Sequence, residues 1–177
     1  MIEIISNINA RIISDSMLDN TALYGIAEPI VIRHDNDSQD IVYPVIIDID
    51  GECRDVLFDD AHDIVSYHRL NKKTYATKSV DGYGDDPQRS VVYDMSMIVC
   101  GKRKIINAHN MERVCVRSIE SATNYAKRIT AEVAESNFNS PQVFSSEYTG
   151  VQYPIQPDIF LFKINYKITR IQSPCKN

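Results

Sequence analysis

The stretch VIIDIDGE at positions 45–52 sets two carboxylates, Asp48 and Asp50, between an apolar run and Gly51. Two carboxylates paired at the end of a strand are residue types suited to nucleophilic and general-acid work on phosphate. The chain would then be a small metal-dependent, phosphatase-like hydrolase. The parallel βαβ series that would build such a site does not follow. A strand ending in an Asp-Gly turn with solvated carboxylates accounts for the same residues. An EF-hand register also fails, because Ile46 falls at the first ligand position and Leu57 where a bidentate Glu belongs. Asp48, Asp50, Asp59 and Asp60 still hold enough carboxylate to gather an adventitious divalent cation.

His62 and His68 share a strand face if the strand through them is regular, and Asp60 or Asp63 could join them at a metal. No third spaced His supports that site, while His34 and His109 stand alone, so packing or surface roles are expected for all four. Lys102-Arg103-Lys104 could touch phosphate, yet Gly101-Lys102 lacks both the earlier Gly and the following Ser/Thr of a P-loop. A G-x-S-x-G elbow is missing too. The expectation is a chain with no catalytic residue, no bound metal and no cofactor. Cys53, Cys100, Cys115 and Cys175 show no C-x-x-C spacing and lie in or near apolar stretches, as reduced thiols that pack like small hydrophobes.

Length and composition set the frame for these groups. The chain has 177 residues and 20.1 kDa, with 44% hydrophobic and 24% charged residues, which fits one globular domain, 1–177, and excludes collagen-like or wholly disordered chains. No apolar run is long enough for a membrane span, and MIEIISNINARII has neither the basic region nor the cleavage site of a signal peptide. A soluble protein is expected. The net charge of −5 argues against a dedicated nucleic-acid binder. That average conceals a division. Positions 35–63 hold ten acidic residues against Arg54 alone, a balance of −9. Positions 101–128 hold seven bases against Glu112 and Glu120, a balance of +5.

The elements follow from periodicity. Ile2, Ile5, Ile8, Ile12 and Ile13 predict a helix over 1–18. Strands are predicted at 29–33, at 43–49 and at 62–70, and alternation of Val91, Tyr93, Met95, Met97 and Val99 predicts another over 90–100. Polar, glycine-bearing 71–89 reads as a long loop. Met111, Cys115, Ile119, Ala122, Ala126, Ile129 and Val133 form a helical stripe, predicting a long helix from an Asn110 cap to about Glu135. Residues 136–158 read as an extended arm with Phe138, Phe144, Tyr148 and Tyr153 as anchors. Alternation almost without fault then predicts a last strand over 159–171. The fold expected is α+β: an antiparallel sheet with the N-terminal helix and the long helix packed on one face.

This order of helix, antiparallel strands, long helix and late strand resembles the tail-terminator and tail-completion proteins of tailed bacteriophages, and the related folds of head-to-tail connector rings. The phrases LYGIAEPI (23–30), YPVIIDIDGE (43–52), SYHRL (66–70) and VVYDMSMIVCGKRK (91–104) are similar to small structural proteins of phages of Bacteroides-type hosts, crAss-like phages among them. The resemblance implies a tail-terminator-like fold and a non-enzymatic ring subunit of the virion neck or tail, assembled in the host cytoplasm. Its partners would be further copies of itself, in a dodecamer rather than a hexamer, and the portal or adjacent ring proteins, with genomic DNA passing through the lumen unbound. A closed ring needs two different, complementary patches on each copy. Asp48, Asp50, Asp59 and Asp60 on one side and Lys102, Arg103, Lys104, Arg113 and Arg117 on the other supply them. Tyr148 and Tyr153 would let the arm wrap a neighbour. A net negative charge also suits a channel along which DNA must slide.

Overall fold

The computed structural model describes residues 1–32, 41–47, 52–56, 61–78, 88–124, 128–138 and 157–172. Helix α1 (Ile2–Ser16) buries Ile4, Ile5, Ile8 and Ile12. Ile2 and Ile13, expected on the same face, point outward instead, 78% and 47% exposed. The helix ends where Met17 turns left-handed (φ 54°) and donates its N–H to the Ile13 carbonyl.

Five strands form the main sheet: β1 (Thr21–Ile26), β5 (Ile64–Lys78), β6 (Gln88–Lys102), β7 (Ile129–Phe138) and β8 (Ile159–Gln172), in the order β1-β5-β6-β8-β7. Every pairing is antiparallel except β1 with β5, so the sheet is mixed where an antiparallel one was expected. The cause lies in the connection. Parallel neighbours need a crossover, and between β1 and β5 the chain builds a small antiparallel sheet from β2 (Glu28–Ile32), β3 (Ile41–Ile47) and β4 (Cys53–Asp55) before returning. Neither β1 nor β4 was foreseen from the sequence.

Alternation sorts the side chains of the main sheet to two faces. Ile64, Met95, Met97, Val99, Phe160, Phe162, Ile164 and Ile168 meet α1 and helix α2 (Ala108–Glu120) in one dry core. On the opposite face Tyr67, Ile98 and Leu161 pack with Ala27, Val42, Ile46 and Val56 of the small sheet and its flanks. The molecule is therefore a three-layer α+β structure with both helices on one face, as expected.

The predicted long helix is two elements. Helix α2 starts at Asn107, whose side-chain oxygen accepts from the His109 and Asn110 N–H groups, and it stops at Glu120. Asn124 and Ile129 then exchange both backbone hydrogen bonds, Arg128 is left-handed (φ 52°), and the chain re-enters as β7. Ile129, Ala131 and Val133 satisfy a two-residue period as well as a helical one. A strand at the edge of β8 wins because it gains a ladder of backbone bonds there.

Residues 71–78, expected within a loop, continue β5 to make it 15 residues long, and β6 matches it residue for residue apart from a bulge between Leu70 and Lys72. They are polar because both faces of this stretch of β5 meet water, residues 71–75 all being exposed. Similarly, 136–138 belong to β7 rather than to the expected arm. Residues 139–156 of the arm and residues 79–87 lie outside the described residues.

Candidate functional site

The basic turn is a corner that holds the sheet together. Lys102 closes β6, donates its N–H to the Asp63 carbonyl at 3.0 Å, and pairs its ammonium with the Asp63 carboxylate at 3.2 Å. Arg103 donates from its backbone N–H to the Asp158 carbonyl and from Nε to the Ile159 carbonyl, fixing the start of β8. Lys104 pairs with the Asp158 carboxylate at 3.2 Å, where both side chains are well exposed. Such a surface pair contributes little to stability. Arg113 and Arg117 are exposed on α2, Arg113 donating to Asn110 and Arg117 standing in the last turn, where a cation favours the helix dipole. Asp48, Asp50, Asp59, Asp60, Tyr148 and Tyr153 lie outside the described residues, as does Cys175.

His62 and His68 do not form one site. His68 lies within the core, fully buried between α1 and the sheet, and both of its ring nitrogens are used. The Asn9 amide donates to the Leu23 and Tyr24 carbonyls at 3.3 and 2.9 Å, so its oxygen faces His68 and accepts from Nε2–H at 3.1 Å. Nδ1 is then the acceptor for the Tyr166 hydroxyl at 2.7 Å. The Asn9–His68–Tyr166 relay is consistent with a neutral imidazole. Burial, which penalises the imidazolium, pushes the His68 pKa from 6.5 down to about 3 and holds the Tyr166 phenol protonated. No lone pair is left on this ring for a metal.

The cysteines follow the expected pattern in part. Cys100 and Cys115 are buried and free, and desolvation pushes the Cys100 thiol up to about 12 and raises that of Cys115 also. Thiols held protonated in this way are packing groups. Cys53 is free and exposed.

On the face opposite the helices, beyond the small sheet, a polar ladder crosses four strands. Asn71 donates to Ser96 at 2.6 Å, Ser96 to Asn165 at 2.7 Å, and Asn165 in turn to Glu135. One row further along, Lys167 lies 3.9 Å from Asp94. Such bonds fix strand register where an apolar layer is lacking. An open groove of about 430 Å³ separates Glu3, Asn7 and Arg11 of α1 from Ser121, Thr123 and Asn124 after α2.

The surface that sequence reasoning missed is the far end of the hairpin on the helix side. There Lys73 lies over the rings of Tyr75 and Tyr93, its Nζ 4.9 and 5.8 Å from their centroids. Hydrogen bonding to Tyr75 raises the Lys73 pKa. The signal was present as KKTYATK, three bases and a tyrosine without an acid, but it sat inside a segment taken for a loop.

No protein-family model matches the chain, and comparison with curated proteins finds no match. Among the described residues no helix is long and apolar enough to cross a membrane.

Proposed function

We propose that the chain is a structural subunit of a phage virion, closing copies of itself into a ring of the neck or tail, as a tail terminator or a portal-proximal connector. The observation that carries this reading is the division of charge, −9 over 35–63 and +5 over 101–128. The two segments attract where they meet: Lys102 of the basic one pairs with Asp63 of the acidic one. Asp63 accounts for one acid of the ten in that stretch. Copies that present opposite charge on different patches dock head to tail, which is the geometry a ring requires.

The buried titratable groups fit the same role. His68 is neutral, Cys100 and Cys115 are protonated, and all three serve the core. A subunit of this kind works through shape and contact. Ring stoichiometry would follow the portal, with DNA passing through the lumen.

Electron microscopy of the purified protein tests the proposal. Closed rings with a central opening are expected. Isolated single particles, together with metal-dependent phosphatase turnover that Asp48→Asn abolishes, would replace the ring with the hydrolase.

A further inference from the structure

The helix-covered face of the main sheet continues past α1 and α2, and its outer rows are basic. Register places Tyr75, Val91 and Arg170 side by side across β5, β6 and β8. Lys73 and Tyr93 are paired in the row toward the helices, and Arg89 and Gln172 in the row beyond. Tyr75 is 70% exposed, and Lys73, Arg89 and Arg170 are exposed beside it. The acidic residues of these strands, Asp94, Glu132 and Glu135, occupy rows paired with Lys167 and Asn165, which belong to the opposite face. Three cations and an exposed ring thus share an apron to which the described residues of these strands contribute no carboxylate. Like charges gathered so closely repel, and an anionic partner relieves that repulsion.

The densest anion in the sequence is the chain's own 35–63 stretch. Within one molecule its described strands, β3 and β4, belong to the small sheet. The small sheet that this stretch builds packs on the other face, against Ile98, which lies seven residues along β6 from Val91. That is about 24 Å of strand. We infer that the apron formed by Lys73, Tyr75, Arg89 and Arg170 receives the acid-rich 35–63 stretch of a second copy of this chain. The inference deepens the ring reading and rests on it. It moves the basic half of the contact from the Lys102–Lys104 corner, which is engaged within its own chain, to the end of the hairpin.

A charge exchange tests it. Variant one carries K73E, R89E and R170E. Variant two carries D48K, D50K, D59K and D60K. Oligomeric mass is measured by light scattering for the wild type, each variant and their mixture, with thermal melts to establish that each variant is folded. The wild type should assemble and lose mass as salt rises; each variant alone should remain a monomer, and the mixture should regain high mass by pairing the exchanged patches. Assembly of variant one at wild-type mass and salt sensitivity overturns the inference and leaves the ring standing. A wild type that is monomeric under all conditions removes the ring itself. Retention of a single-stranded oligonucleotide by the wild type, lost in variant one without a change in assembly, assigns the apron to nucleic acid and also overturns the inference.

Discussion

The same strands lead two lives along their length. Under α1 and α2 they carry Met95, Met97, Phe160, Phe162 and Ile164, all essentially fully buried. Past the helices, on the same face, they carry Lys73, Tyr75, Arg89 and Arg170 into solvent. In the first region even the polar groups turn inward, as His68, Asn9 and Tyr166 exhaust one another's hydrogen-bonding capacity. In the second, cations stand in the open on a rigid ladder of backbone bonds. A long hairpin that merely completed a core could stop where the helices stop. This one extends a stiff platform beyond them, which gives it a surface to offer.

That contrast should appear first in stability. Truncating Phe162 to Ala removes a fully buried ring stacked on Phe160 and should cost about 3–5 kcal/mol. Tyr75→Ala at the other end should change stability by no more than about 0.5 kcal/mol. Chemical denaturation of the two variants checks both figures, and equal losses would erase the distinction between the regions.

Acid provides the next test. His68 is held neutral with a pKa of about 3, against 6.5 when unperturbed, so the unfolded chain binds a proton that the folded chain refuses. Its contribution is complete above pH 6.5 and is lost as pH falls toward 3, at about 1.4 kcal/mol per pH unit. The loss by pH 5 should be about 2 kcal/mol. Denaturation of the wild type and His68→Gln at several pH values isolates the effect, because the variant should lack this slope. Parallel pH profiles would mean that His68 is protonated in the fold.

A smaller effect separates two glycines. A Cβ on Gly101 would meet the Phe160 ring at 2.6 Å and Ile64 at 3.0 Å, so Gly101→Ala must displace a packed aromatic and should cost about 1–3 kcal/mol. Gly25 has open space around it, and Gly25→Ala should be nearly silent. Thermal melts of the pair measure how tightly the helix-side core is closed.

The elements legible in the sequence were those with a single period. β8 alternates from Phe160 to Ile168, with Lys163, Asn165 and Lys167 between, and no helical stripe competes. Both β6 and α1 were visible for related reasons. Where two periods overlapped, at Ile129 and Val133, pattern alone could not choose between them, because the decision rests with β8, a strand distant in sequence. β5 beyond Leu70 was hidden since neither of its faces there is apolar. The parallel pairing of β1 with β5 depends on the route of the intervening chain, which leaves no local mark. Of the candidate interface, the basic corner was legible but its pairing with Asp63 and Asp158 was not. Those partners approach only after the sheet forms.

The proposed role depends most on whether copies of this chain hold one another, and a mass measurement across ionic strength addresses that directly. Native mass spectrometry and light scattering at low salt should give a single species at a multiple of 20.1 kDa, dissociating as salt rises. A particle of 20.1 kDa at every concentration and salt, with or without neck proteins, would contradict the account.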